Sequence, residues 1–187
     1  VAGSCGDGIV NTGEQCDDGG ASAACAADCQ FADNFVSVWA IPAEDLSLEL
    51  PLRDFDSNGT ELLYNFTVDW GDGTTGEVTS FDDADKSHIY TQEGEYTVVI
   101  SGLLQGLGSS EEEPWNNPYA HAHKLLRVPN LGNLGYVSLR NAFTDCNNLT
   151  EVYGGVTSAV IDAKGMFYAA TLALSLIHIS EPTRRYR

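Results

Sequence analysis

One stretch limits what this chain can fold into more than any other: Tyr64-Asn65-Phe66-Thr67-Val68-Asp69-Trp70-Gly71-Asp72-Gly73. Tyr64, Phe66 and Val68 alternate with Asn65, Thr67 and Asp69, the period-two pattern of a strand with one buried face. Gly71 and Gly73 then supply the positive-φ positions of a tight turn, and the Asp72 carboxylate is placed to accept backbone N–H groups inside it. A strand running 61–70, turned back on a partner at 77–79, commits this part of the chain to a β-sheet.

Neighbouring runs extend that sheet. Phe35-Val36-Ser37-Val38-Trp39-Ala40-Ile41 is rich in strand formers and stops at Pro42, and Leu46-Ser47-Leu48-Glu49-Leu50 alternates up to Pro51. Residues 54–60 read as a polar turn around Asn58-Gly59, and 124–128 as a short strand. The formal charge of −18, from 27 acidic and 9 basic residues, argues against a nucleic-acid partner. With only 19% charged residues and many Gly, Ser, Thr and Asn, the composition fits an extracellular β protein. The chain opens at Val1 without a leader, which points to a mature form or a fragment.

Downstream of the Gly-Asp-Gly turn come His88-Ile89-Tyr90 and Gly94-Glu95-Tyr96-Thr97-Val98. Val68-Asp69-Trp70-Gly71-Asp72-Gly73, His-x-Tyr and Gly-x-Tyr-Thr-Val together resemble the PKD domain, an immunoglobulin-like β-sandwich common outside cells. The resemblance implies a sandwich over 34–128, with Trp70 and Tyr96 in its core, Asp72 bonded within its own turn, and His88 serving the fold. No Ser or Cys nucleophile motif accompanies His88. A sandwich hosts many activities, so the resemblance speaks to fold and leaves function open.

Four of the five cysteines, Cys5, Cys16, Cys25 and Cys29, fall in residues 1–31, where little else could form a core. So short a segment needs covalent staples or a metal. The spacing is not that of paired Cys-x-x-Cys zinc ligands, and two disulfides are expected, with three pairings open. The phrase from Cys5 through Gly19, followed by Cys25-x-x-x-Cys29, resembles the Myxo-type Cys-rich repeat of secreted microbial proteins. Asp7, Asn11, Glu14, Asp17 and Asp18 crowd oxygen donors into a Gly-rich loop, a donor set that suits calcium. Their order is not that of an EF-hand loop, and turn capping by the same acids is the other reading.

Three other groups of side chains invite chemistry. His121-x-His123 on a strand would set two imidazoles on one face, suited to zinc or copper, yet no third ligand is evident. The acidic runs 82–85 and 111–113 read as solvated loops. Beyond residue 128 a repeat begins, with a period of about 24 residues. One such shift lays Ala142-Phe143 on Met166-Phe167, Cys146 on Ala170 and Leu149 on Ala173. Cys146 therefore reads as a small buried position. Asn141-Ala142-Phe143-Thr144-Asp145-Cys146-Asn147-Asn148-Leu149-Thr150, with the run 157–167, resembles the BspA-like leucine-rich repeat of surface proteins, in which a PKD-like sandwich often precedes the repeats.

The final residues break that period. Leu174-Ser175-Leu176-Ile177-His178-Ile179-Ser180-Glu181-Pro182-Thr183-Arg184 resembles the translation of a transposase sequencing adapter, so 174–187 is expected to add nothing to the fold. The apolar run 166–179 is too short to cross a membrane as a helix. The expected architecture is mainly β: a disulfide-rich cap (1–31), an Ig-like (PKD) β-sandwich (34–128) and incomplete leucine-rich repeats (129–173). The expected role is that of a non-catalytic secreted or cell-surface scaffold for adhesion, binding an extracellular protein or glycan, without cofactor apart from calcium in the cap. The alternative is an accessory, substrate-binding module of a secreted hydrolase acting on polysaccharide or protein.

Overall fold

The computed structural model describes residues 33–109 and 119–170, with Gly6, Gly8 and Gly19 beside them. Within them lie eight strands: β1 Phe35–Ile41, β2 Ser47–Glu49, β3 Tyr64–Asp69, β4 Thr75–Val78, β5 Ser87–Ile89, β6 Gly94–Leu104, β7 Leu125–Asn130 and β8 Glu151–Val152. Helix among the described residues is limited to two short 3-10 turns, Ala84–Lys86 and Ala122–Lys124. The chain is mainly β, built on a six-stranded open sheet in the order β4-β3-β6-β1-β7-β8 and a two-stranded sheet of β2 and β5.

Sequence pattern accounts for where each strand sits. β3 alternates buried and exposed residues along its whole length, so it has one wet face. β1, paired with β6 on one edge and β7 on the other, is buried at nearly every position. Its residues are apolar apart from Ser37, whose hydroxyl donates to Val98 O and accepts from Trp39 Nε1, so the strand shows no alternation between a dry and a wet face. β6 is long enough to serve two neighbours. Residues 94–100 pair with β1 and 99–104 pair with β3, both antiparallel. The strand expected at 61–70 is trimmed to Tyr64–Asp69, because the Leu62 N–H is drawn to the Asp54 carbonyl and that of Leu63 to the Gln105 side chain. Its hairpin partner starts at Thr75, two residues earlier than expected, where it faces Asp69.

After β7 the pairing changes character. β7 and β8 run parallel, with Arg127 opposite Glu151 and Val128 opposite Val152, and Ser138 bridges Asp162 in the same sense. The backbone N–H groups of Leu139, Asn141, Phe143 and Asp145 donate to the carbonyls of Asp162, Lys164, Met166 and Tyr168. Each coil is therefore laid on the one before it in near step with the repeat seen in the sequence, and the Phe143 and Phe167 rings stack 5.4 Å apart. Positive φ recurs in the same step: Asn141 (58°) with Gly165 (68°), and Asp145 (59°) with Ala169 (54°).

The first coil is joined to the sheet. Gly106 bridges Ser138, and Leu104 N–H donates to Leu134 O. β7 runs unbroken across the 128/129 boundary read from the sequence, and one apolar core extends from Phe35, Trp39 and Phe66 through Leu131 to Phe143 and Met166. The coil also buries polar side chains. Asn130 accepts from Gly132 N–H and donates to Asn34 O, both at 3.0 Å, and Thr144 Oγ1 donates to Gly165 O at 2.8 Å. Buried amides and hydroxyls satisfied in this way fix one backbone path among the many that apolar packing would tolerate.

Candidate functional site

The Gly-Asp-Gly turn closes around its own carboxylates. Asp69 Oδ1 accepts from Gly71 N–H at 2.9 Å, and Asp72 Oδ1 accepts from both the Thr74 N–H (3.0 Å) and its hydroxyl (2.6 Å). Gly71 has φ of 81°, and a Cβ there would lie 2.4 Å from the Thr97 carbonyl, so no other residue fits between the turn and β6. The second Asp72 oxygen receives His88 Nε2 at 2.8 Å. The His88 ring lies flat on Trp70, 5.1 Å between centroids, and edge-on to Tyr90, which in turn stacks on Tyr96 at 4.1 Å. Tyr90 donates its hydroxyl to Trp70 O. Burial, the largest single influence, works to raise the Asp72 pKa, but the bonds from Thr74 and His88 outweigh it and hold the carboxyl below its usual range.

Trp70 is buried, whereas Tyr96 is half-buried at the rim, its hydroxyl donating to Gln92 O. The group thus commits one Asp72 oxygen to its own turn and the other to His88 Nε2. Its chemistry is that of a lock between the turn and β5.

A second cluster surrounds Lys124, which sequence reasoning passed over. Its side chain is fully buried and its ammonium has three acceptors: Asp45 Oδ2 at 2.6 Å, Asp45 O at 3.0 Å and Ser47 O at 2.6 Å. Those bonds satisfy all three N–H donors of the group. The Lys124 bond, followed by those from Ser47, holds the Asp45 carboxyl far below its usual range. The signal in the sequence is faint, since a lysine heading an apolar strand reads as a solvated end.

The histidine pair expected on a strand is not on one. Ala122 N–H closes on Tyr119 O and Lys124 N–H on His121 O, so the segment turns as a 3-10 helix and His121 and His123 diverge. His121 Nδ1 accepts the Glu49 N–H at 3.1 Å, which places the ring proton on Nε2, 3.3 Å from Ser47 Oγ. Burial, then the charge of Lys124, lowers the His121 pKa. Asn148 Nδ2 donates to the His123 carbonyl. This geometry corrects the strand placement read from the sequence, and the His121 ring is committed to Glu49 and Ser47.

The acidic run 82–85 is likewise more than a solvated loop. Asp83 caps the 3-10 turn Ala84–Lys86 and accepts from Thr79 N–H just past β4, while Asp85 accepts from Glu77 N–H within it. Cys146 is buried, its thiol pushed up to about 12 by burial and the neighbouring Asp145, so it stays protonated.

Cys5, Cys16, Cys25 and Cys29, the calcium donors Asp7, Asn11, Glu14, Asp17 and Asp18, the run 111–113 and the tail 174–187 lie outside the described residues. Among the described residues no group of three or more His, Cys, Asp or Glu side chains is placed to hold a metal ion. No described helix is long and apolar enough to cross a membrane. Compared with protein-family models, curated proteins and solved structures, the chain matches none of them.

Proposed function

We propose that this chain is a display scaffold of a secreted or cell-surface protein, made for adhesion to an extracellular protein or glycan and without catalysis of its own. In this reading 34–128 is a PKD-type β-sandwich, 1–31 a disulfide-stapled cap, and 129–173 the first coils of a BspA-type leucine-rich array. The observation that supports it most is the parallel ladder, in which Gly106 bridges Ser138 and Ser138 bridges Asp162, tying the first coil to the sheet and the second to the first. Stacked coils of fixed pitch extend a surface in one direction while each buries its apolar residues against a neighbour. That suits a surface used for contact. The turn lock at Asp72 and His88 and the saturated Lys124 cluster support it as well, because both commit their polar atoms to holding the backbone.

Two measurements test the reading. Alkylation under denaturing, non-reducing conditions should leave one free thiol, that of Cys146; five free thiols would remove the stapled cap, and stoichiometric zinc released on denaturation would replace it with a metal site. The chain should also bind members of an array of extracellular matrix proteins and glycans in solution. Retention only on insoluble polysaccharide would favour the accessory module of a hydrolase, and turnover of any arrayed substrate would end the non-catalytic reading.

A further inference from the structure

β4 is an outer strand of the large sheet, and such a strand carries a row of backbone groups able to accept another chain. Trp70 N–H bonds Thr74 O, and the register continues as Val68 opposite Gly76 and Phe66 opposite Val78. Gly76 and Val78 therefore turn their backbone groups toward β3, while Thr75, Glu77 and Thr79 turn theirs outward. Two of those outward donors are already taken by side chains. Glu77 N–H donates to Asp85 Oδ2 at 3.2 Å, and Thr79 N–H and its hydroxyl donate to Asp83 Oδ2, both at 3.0 Å.

The segment that supplies these carboxylates is fitted to its place. Asp83 Oδ1 accepts from Asp85 N–H at 3.1 Å, which fixes the spacing of the two side chains. A Cβ on Gly76 would come within 3.1 Å of Asp85 Cβ and 3.3 Å of its carbonyl oxygen, so the missing side chain makes room for the 3-10 turn. At its far end Lys86 O accepts from Leu50 N–H, and Lys86 Nζ pairs with Glu49 at 3.0 Å, tying the turn to β2. The Asp83 carboxyl is held below its usual range, chiefly by the Thr79 N–H.

We propose that Asp83 and Asp85 form an edge guard, seated on Gly76, that keeps a second copy of this chain from adding to the sheet at β4. Unguarded, the strand is complementary to itself. An antiparallel, two-fold pairing centred on Val78 sets Glu77 of one copy opposite Thr79 of the other, which joins outward donors to outward acceptors without setting like charges face to face. The net charge of −18 also holds copies apart, so the side-chain plug and the charge act together.

The test compares the full chain with Asp83→Ala/Asp85→Ala in about 0.5 M salt, where charge is screened over roughly 4 Å. Sedimentation equilibrium should show the variant's mass rising with concentration from 20.1 kDa toward twice that value, with the parent unchanged. In dilute variant the Glu77 and Thr79 amides should exchange roughly tenfold faster or more, and slow again as copies pair. Asp83→Asn/Asp85→Asn keeps an acceptor oxygen at each place and should stay monomeric. Gly76→Val changes no charge, displaces Asp85 by contact and should also self-associate, which serves if the double alanine variant does not fold. The proposal is overturned if the alanine variant or Gly76→Val exposes the two amides and remains monomeric to ~1 mM, or if either associates while both amides continue to exchange freely.

Discussion

The sheet and the coil of this chain solve the same problem by different means. From Phe35 to Leu104 the strands are held mainly by antiparallel neighbours and by aromatic and β-branched side chains, with Trp39, Phe66, Val68 and Trp70 inside. Beyond Leu125, successive coils pair in parallel, each residue's partner lies one coil further on, and Asn130, Ser138, Asn141 and Thr144 are buried among the apolar residues. The sheet takes its register from side chains that differ between its two faces. The coil takes its register from backbone turns that recur, including non-glycine residues at positive φ. A sheet of the first kind tolerates a polar change on its wet face, while a coil of the second kind is sensitive to small changes of backbone.

The largest test of that contrast is Trp70→Ala, expected to cost about 3–5 kcal/mol in urea unfolding, since the ring is buried against His88 and the core is shared. If sheet and coil are one cooperative unit, protection of the Phe143 amide should fall with that of Val98 under native-state exchange. Independent loss would split the molecule into two units. Asp45→Ala comes next. It leaves the buried Lys124 ammonium without its carboxylate, and about 2 kcal/mol is expected, less than for a fully buried pair because the Asp45 side chain is 43% exposed.

The same pair sets a pH dependence. The folded-state Asp45 carboxyl is held below its unfolded value, so its contribution is complete above about pH 4 and is lost as pH falls further. The urea midpoint should drop on the acid side, and Asp45→Asn should flatten that part of the profile. In the coil, Gly165→Ala places a Cβ 2.4 Å from Asn141 Oδ1 at φ of 68° and should cost about 1–3 kcal/mol. The smallest effect has the opposite sign. Ala169→Gly relieves an alanine at φ of 54°, and the gain is expected to be roughly 0.5 kcal/mol after the added freedom of the unfolded chain. A loss at this position would mean that the alanine methyl packs against something the backbone argument ignores.

Much of the sheet was legible because its determinants are local. The alternation of Tyr64, Phe66 and Val68, the run of strand formers at 35–41 and the Gly-Asp-Gly turn each state their structure within a few residues. The period of the coil was visible too, in Ala142-Phe143 against Met166-Phe167. The polar clusters were hidden. Lys124 is buried because two carbonyls and a carboxylate some 77 to 79 positions earlier converge on it, and no window of sequence contains them together. His121 was misplaced for the same reason, since the Glu49 N–H that donates to its ring lies 72 positions away. The acidic run 82–85 looked like a solvated loop because, although 77–79 read as a strand, nothing in the sequence marks it as the outer strand of the sheet.

The place of β1 has a mechanical consequence. The segment entering at Phe35 leads directly into an interior strand, antiparallel to β6 on one side and to β7 on the other. A tether pulled from that end loads both ladders along the strand axis, so seven residues must slide past two neighbours together. Among the described residues, the second coil is bonded to the first by a row of single bonds that part in succession as the coil peels away. Under tension the chain is stiff at β1 and compliant at the second coil, and a load carried between them is shed first at the coil.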